Sequence, residues 1–546
     1  MNSWQAVGWK AVEATVTRIR EQIYVASAHN NLKKVGSLQK LMLRSRANWL
    51  QSIRRVTQIN SGRKTPGIDR EVVLDGKGRL ALLNWLTSTP FKDYTPPPVR
   101  RVYIPKKNGQ KRPLGMPTTR DRVMQAIVKN ALEPYWEARF EHYSFGFRPG
   151  RSAHDAIASI HNSLARGKRS WILDADIKGA FDNIDHEALM SKIGNCPART
   201  LIRKWLKAGM MENLEFSPGI SGTPQGGIIS PLLANIALHG MEAAAGVKTR
   251  YVPSFDRYTQ DRSSAKLVRY ADDFVVMGYT EQDAKDARAK LEEWLSSIGL
   301  EMSKEKTSIV HVDEGFDFLG FTIRRYSRQS RKKSGFVVQT RPSKKSIKAV
   351  TNKIRDCFQT GKSQTSAILR ANSIIRGWSN YFRIGVSYKT FQTLDNIKWH
   401  RTWRYAKRRH PKKSASWLYN RYFKRIGTRK WIFYDHKRGL RLKLFSDTPI
   451  VRHTRVKHGA SPDNPALRTY WHTRRAKVPA NLVSEKQKLW SKQKGICPVC
   501  TQSLDTGEEL EVHHLLGRGH EALRDKRLLH HTCHVQVTKV GLEPYA

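Results

Sequence analysis

Residues 173–182 read Leu173-Asp174-Ala175-Asp176-Ile177-Lys178-Gly179-Ala180-Phe181-Asp182, and residues 269–274 read Arg269-Tyr270-Ala271-Asp272-Asp273-Phe274, with Asp272 following Asp176 by 96 positions. Each stretch sets acids at the end of a short apolar run: residues 170–177 read as one strand, and residues 266–270 and 274–279 as two strands of a hairpin turning at Ala271-Asp272-Asp273. Strands hold the backbone rigid and let the terminal side chains reach a cleft. Side by side, they bring carboxylates together that repel unless divalent cations lie between them. Oxygen-only ligands suit Mg²⁺. Two such ions about 3.5–4 Å apart can activate a 3′-hydroxyl and stabilise a leaving pyrophosphate. Asp-Asp alone is common in surface turns; the joint pattern is far rarer.

The rest of the chain supplies the setting. Its 546 residues are a prior for three to four domains at about 150 residues each. With 98 Lys and Arg against 46 Asp and Glu, the formal charge is +52. Self-repulsion on that scale is relieved by a polyanion, so nucleic acid is the expected partner. A hydrophobic fraction of 39% supports packed cores. No apolar run reaches membrane-spanning length, and no basic amphipathic helix or lipidation site points to a membrane surface. Residues 1–30 contain no apolar block with a small-residue cleavage site, and Glu13 and Glu21 argue against a transit peptide. A bacterial cytoplasm is the expected location.

Residues 1–65 read as helical and basic, and Thr65-Pro66-Gly67-Ile68-Asp69 is turn chemistry that opens a new unit. Residues 99–104 alternate as a strand, and Lys107-Asn108-Gly109-Gln110 turns the chain back at Lys111-Arg112-Pro113-Leu114. Residues 121–140 and 284–299 carry helical spacing. Beyond about residue 325 the composition shifts: residues 341–430 hold 24 Lys and Arg but only Asp356 and Asp395, with thirteen aromatics interleaved. Phosphate contacts and stacking on unpaired bases suit such a segment. Most of the rings, including Trp399 and Trp403 at i,i+4 spacing, read as core packing.

The acidic stretches resemble the reverse transcriptase palm, whose motifs take the forms Asp-x-x-x-x-Phe/Tyr and Tyr-x-Asp-Asp. Further blocks follow in that family's order: Ser144-Phe145-Gly146-Phe147-Arg148-Pro149-Gly150-Arg151-Ser152, Gly222-Thr223-Pro224-Gln225-Gly226-Gly227, Lys304-Glu305-Lys306-Thr307 and Phe318-Leu319-Gly320-Phe321. The resemblance implies that Asp176 and Asp272 bind two Mg²⁺ with the backbone carbonyl of Ile177, and that Asp273 is the adjacent catalytic carboxylate. Lys106 and Arg112 then contact the triphosphate of an incoming dNTP, Gln225 contacts the nascent base pair or the template, and Gly226 allows close backbone approach to a substrate. Phe181 would lie under the sugar and exclude a 2′-hydroxyl; an ordinary core position is its other reading. Lys306 reads either as a proton donor to pyrophosphate or as a solvated lysine.

The segment around Gly67-Ile68-Asp69, the run Ile375-Arg376-Gly377-Trp378-Ser379-Asn380-Tyr381-Phe382, and the stretch from Trp399 through His410-Pro411 to Tyr422-Phe423 resemble group II intron-encoded reverse transcriptases. That likeness implies an α+β multidomain fold. Residues 1–65 form an N-terminal extension, 66–325 the fingers and palm, 326–430 an α-helical thumb or maturase X domain, 431–484 a basic DNA-binding segment, and 485–546 a small HNH module of ββα-metal type. It implies intron RNA and target DNA as partners and three linked activities: assisting splicing, cutting target DNA and copying intron RNA into DNA. A splicing-only maturase and an RNA-dependent RNA polymerase are the competing readings. The first should have lost Asp176, Asp272 or Gln225, and Phe181 argues against the second.

In the last unit, Cys497-Pro498-Val499-Cys500 and His530-His531-Thr532-Cys533 offer two ligand pairs with a two-residue gap, the spacing of a structural Zn²⁺ site. Val512-His513-His514-Leu515 resembles the HNH signature, in which His513 would bind a catalytic divalent ion with His534, and His514 would be the general base. The signature's Asn falls on Asp525 and its last His on Thr538. Both departures put nuclease activity in doubt.

Overall fold

The computed structural model describes residues 3–105, 109, 111–165, 167–212, 215–223, 226–252, 257–261, 264–327, 335–359, 363–479, 482–516 and 522–540. The N-terminal helices Trp9–Ala28, Leu32–Arg44 and Arg46–Arg54 pack on the helix Thr119–Glu137. Val12, Val16, Ile19 and Ile23 fall on one face of the first helix and are buried there. The Thr119–Glu137 helix is buried on most of its surface, from Val123 and Met124 to Ala131 and Leu132, because the palm lies against its other side. Thr118 caps its N-terminus by accepting from the Asp121 amide at 3.1 Å.

Two sheets frame the cleft. Strands Val99–Pro105 and Lys111–Met116 form the expected hairpin, extended by Met210–Glu212 and Glu215–Ser217. The central sheet runs Glu301–Met302, Trp171–Lys178, Asp273–Gly278, Lys266–Tyr270, with Ser308–His311 also pairing with Trp171–Lys178. Period-two alternation divides the Trp171–Lys178 strand. Leu173, Ala175 and Ile177 enter the core that holds Leu291 and Leu295 of the helix Glu281–Ser296. Ile172 joins the opposite core. Asp174 and Asp176 share that second face by alternation.

The second core continues into a bundle of the helices Lys344–Cys357, Gln364–Phe382, Tyr388–Arg409 and Ala415–Tyr422. A sheet of Phe423–Ile426, Arg429–Asp435 and Leu440–Arg441 closes it and straddles the expected boundary at residue 430. Phe433, Leu442 and Phe445 complete the same core. Trp399 and Trp403 stack 6.2 Å apart with Trp431 edge-on, so these rings pack against one another as their spacing predicts. The chain then straps back over the palm and N-terminal helices. Asp155 accepts from His453 at 2.9 Å and from the Val456 amide at 2.8 Å, and Arg20 binds Asp463 at 2.7 Å. The last unit sets the strands Leu510–His514 and Lys526–His530 antiparallel, followed by the helix His531–Val540. No helix among the described residues is long and apolar enough to cross a membrane.

Candidate active site and C-terminal metal centre

Strand register assembles the acidic cluster. Asp176 is the cross-strand partner of Asp273, and the Ile177 amide donates to the Asp272 carbonyl at 3.3 Å. Ala271 takes a left-handed φ of +60°, which lets the hairpin turn with Asp272 at its tip. Burial pushes the Asp273 carboxyl up to about 7, reinforced by the charges of Asp272 and Asp176. Asp272 is raised by burial and by Asp176, and drawn back by Arg112 and Lys306. Asp174 also rises to about 7, through burial and then Asp317 and Asp176; the sequence reading assigned this acid no role. The Lys306 ammonium pairs with Asp176 at the cluster. Ile177 buries its side chain in the opposite core, so only its backbone is left for the site. Crowded carboxylates with oxygen as their only donor fit Mg²⁺.

The hairpin is held from behind, partly by residues that sequence pattern does not mark, Glu141, Asn235 and Glu242. Tyr143 and Phe145 bond Arg269 through backbone at 2.9 Å each, which draws Ser144-Phe145-Gly146 alongside the strand. The Arg269 guanidinium is fully buried, donating to Asn235 Oδ1 at 3.1 Å and to the Ala271 carbonyl at 3.3 Å. Asn235 Nδ2 in turn donates to the Gly146 carbonyl at 2.9 Å. Burial lowers Arg269 to about 10 against the opposing pull of Glu141. Asn235, Glu141 and Glu242 meet here from separate helices and turns, and nothing in their local sequence announces it. Gly146 could have been found, since it lies in a quoted block: a Cβ there would sit 2.3 Å from the Ala271 nitrogen.

A glycine loop closes the cleft toward the Lys111–Met116 strand. Gly222 adopts φ +80°, and its amide donates to the Ile184 carbonyl at 2.8 Å. Gly226 passes so close to that strand that a Cβ would meet the Gly115 carbonyl oxygen at 2.4 Å. Between loop and strand lies a cavity of about 260 Å³ lined by Arg101, Leu114, Phe181, Ser221, Gly222 and Thr223. Phe181 is half-buried and meets Phe147 edge-on at 6.0 Å. Arg112 is exposed on its strand opposite Ile104. Lys106 and Gln225 lie outside the described residues.

In the last unit, Cys497, Cys500, His530 and Cys533 are all buried, with ligand atoms within 4.8 Å of one another. His530 Nε2 lies 3.1 Å from the Ser503 carbonyl, which leaves Nδ1 turned to the sulfurs, 3.4 Å from Cys500 Sγ. Three thiols and an imidazole in one buried shell fit Zn²⁺. His513 and His534 face each other at 5.3 Å, but His534 Nδ1 pairs with Glu511 at 2.6 Å. His514 Nδ1 is buried without a hydrogen-bond partner among the described residues. Among the described residues of this unit, the Cys497–Cys533 group is the one that gathers three or more His, Cys, Asp or Glu side chains around one point. Thr538 spends its hydroxyl on the His534 carbonyl at 2.8 Å.

Comparison with known families gives this geometry its class. Residues 104–323 match the model "Reverse transcriptase (RNA-dependent DNA polymerase)", and residues 4–86 match "N-terminal domain of reverse transcriptase". Residues 347–423 match "Group II intron, maturase-specific domain". The enzyme class is therefore RNA-directed DNA polymerase. The chain belongs to the group II intron-encoded reverse transcriptase/maturase family, and its maturase domain implies binding of intron RNA. Protein YkfC of Escherichia coli (strain K12) is 35% identical over 345 residues, covering 56% of this chain and 88% of that one. Group II intron-encoded protein LtrA of Lactococcus lactis subsp. cremoris is 35% identical over 333 residues, covering 51% and 55%, so this match spans about half of LtrA's length. A telomerase structure from Candida albicans matches with 15% identity and a TM-score of 0.33 over 58% of this chain and 60% of that one, a likeness too loose to build on. The matching family models end at residue 423, ahead of the Cys/His unit.

Proposed function

We propose that this protein binds its group II intron RNA, assists its splicing, and copies it into DNA from the cut end of a target strand. Asp176, Asp272 and Asp273 are the catalytic carboxylates. The observation that carries this reading is the meeting of Asp176, near the end of the Trp171–Lys178 strand, with the hairpin turn of Asp272 and Asp273, Asp176 and Asp273 being in direct cross-strand register. Bound Mg²⁺ would lower the pKa of the primer 3′-hydroxyl and offset charge on the departing pyrophosphate. Asp176 and Asp272 would hold the ions with the Ile177 carbonyl. Arg112 at the cleft wall binds triphosphate oxygens through its planar fork. Lys306 exchanges its pairing with Asp176 for the pyrophosphate as product forms. Primer extension on an RNA template tests the reading: Mg²⁺-dependent DNA product is expected, and no product with any primer would leave a splicing-only maturase.

Phe181 is proposed as the sugar selector, supported by its place on the cavity wall beside Gly222. Phe181→Ala should relax the preference for deoxynucleotides over ribonucleotides by roughly tenfold to a hundredfold, read as the ratio of kcat/KM values. An unchanged ratio would return Phe181 to the core.

Residues 1–65, 66–325 and 326–430 serve as RNA-binding extension, fingers-palm and thumb in this proposal, and 431–484 contacts target DNA. Residues 485–546 are a zinc-stabilised HNH-type module that binds DNA with a compromised nuclease centre. This is supported by Thr538 in place of a ligand, with its hydroxyl bonded to the His534 carbonyl. A nicking assay with purified ribonucleoprotein should show no cleavage that His514→Ala removes. Robust nicking lost on that substitution would establish an active nuclease.

A further inference from the structure

The N-terminal domain and the C-terminal metal centre, nearly five hundred residues apart in the chain, share one core. Trp4, Trp9, Ile53 and Val56 pack in the same cluster as Cys497, Cys500, Leu528, Cys533 and Val537. At its centre is Arg54, whose side chain is 1% exposed. Its Nη2 donates to Cys533 Sγ at 3.7 Å and lies 3.6 Å from Glu508 Oε2, while its guanidinium covers the Trp9 ring at 4.5 Å. The Arg54 Nε and Nη1 groups are buried without a hydrogen-bond partner among the described residues. Glu508 uses its other oxygen to accept from the Thr532 amide at 2.8 Å, at the start of the helix that carries Cys533. Around this pair, Arg55 Nη1 donates to the Thr506 carbonyl at 3.0 Å, and Gln536 Nε2 donates to the Gln5 carbonyl at 2.8 Å.

A buried guanidinium needs anions, and one carboxylate at 3.6 Å, with the charge of buried Glu13 acting on it without an ion pair, is a weak match for it. Thiolates supply the remainder. Three thiolates around one divalent ion keep a net negative charge, and an N–H donor on a metal-bound sulfur stabilises the thiolate. We propose that Arg54 is an outer-sphere residue of the C-terminal metal centre, so that metal loading there fastens the N-terminal helices to the rest of the protein. Arg54 acts through Cys533 and is a positioning residue. The centre is thus a clasp between the N-terminal helices and the Cys/His unit: without the metal the sulfurs no longer fix negative charge against Arg54, and the interface built by Trp4, Trp9 and Arg54 opens. The inference rests on reading the Cys/His group as a metal site.

The test uses the full-length protein. Zinc per chain is measured first: one tightly held ion is expected, and none would overturn the metal reading itself. Zinc transfer to a chromogenic chelator is then timed in the parent, Arg54→Met and Arg54→Lys. Release should be about tenfold faster in Arg54→Met, with partial rescue by Arg54→Lys, which keeps the charge but not the fork. The Co²⁺-substituted protein should show a shifted sulfur-to-metal charge-transfer band in Arg54→Met, a signature that core packing alone does not move. To avoid dependence on a variant that fails to fold, hydrogen exchange is also followed in the parent after chelation. Residues 4–12 and 50–58 should lose protection while the strand holding Asp176 keeps it. Equal release rates with an unshifted band, or N-terminal protection indifferent to the metal, would show that Arg54 only fills the core.

Discussion

Asp272→Asn is expected to abolish DNA synthesis by about a thousandfold or more in kcat, equivalent to ~4 kcal/mol of transition-state stabilisation, while intron RNA binding stays unchanged. The substitution keeps the volume and the hairpin and removes only charge. Asp272 stands at the turn beside Asp176 and Asp273, and burial together with the neighbouring charges raises the Asp272 and Asp273 carboxyls. Such a cluster gains most from cations, so deleting one charge strikes metal capture directly. The same substitution at Asp176 should act alike and would also release Lys306 from its ion pair in the cleft. Measuring RNA affinity in parallel separates the two activities, because the basic helices after residue 341 lie outside this cluster. Retention of more than a tenth of the parental rate in Asp272→Asn would remove the aspartate from the catalytic set.

Gly146→Ala carries the second large effect, and it arises without touching a charged group. The added carbon would sit 2.3 Å from the Ala271 nitrogen and 3.0 Å from the Ala271 Cα, and both neighbours are backbone that no rotamer change can move. The Tyr270-to-Asp273 hairpin must shift, and the Arg269–Asn235–Gly146 network that locks it must stretch. Misplacing a catalytic group by about 1 Å costs roughly a hundredfold, and overpacking adds about 1–3 kcal/mol of destabilisation. The expected result is kcat lowered about a hundredfold, with the protein still folded and still binding RNA. Gly377→Ala is the matched control. Gly377 lies inside the helix Gln364–Phe382 with nothing within 4 Å of a new Cβ, so alanine should be neutral or slightly stabilising there. Comparable activity in the two variants would mean that the hairpin tolerates displacement.

Much of this fold is legible in the residues because its strongest signals are local. The strand before Asp176 and the hairpin at Asp272 each carry an apolar run ended by acids, and both form within a residue or two of the expected bounds. The two Cys/His pairs converge on one shell because a two-residue gap points both donors the same way. The strap after residue 445 was not legible. Its residues between 448 and 464 form no helix or strand, and they are held by single side chains such as Asp155 and Asp463 that could belong to any surface. The sheet across residues 423–441 was likewise missed as part of the thumb, since its short strands are interrupted by Lys and Arg.

The amino-acid order by itself settled which groups exist for chemistry: the acids at strand ends, the glycine loop, the four soft ligands and the excess of positive charge. Those features are written in neighbouring residues, and neighbouring residues fix strand alternation, turn type and ligand spacing. Only the folded chain decided that Asn235 and Arg269 would clamp the Asp272 turn, and that Arg54 would meet Cys533 across almost the whole protein. Contacts of that kind depend on how layers stack, and stacking is set by the summed burial of many apolar side chains, none of which names the polar partner it brings into reach.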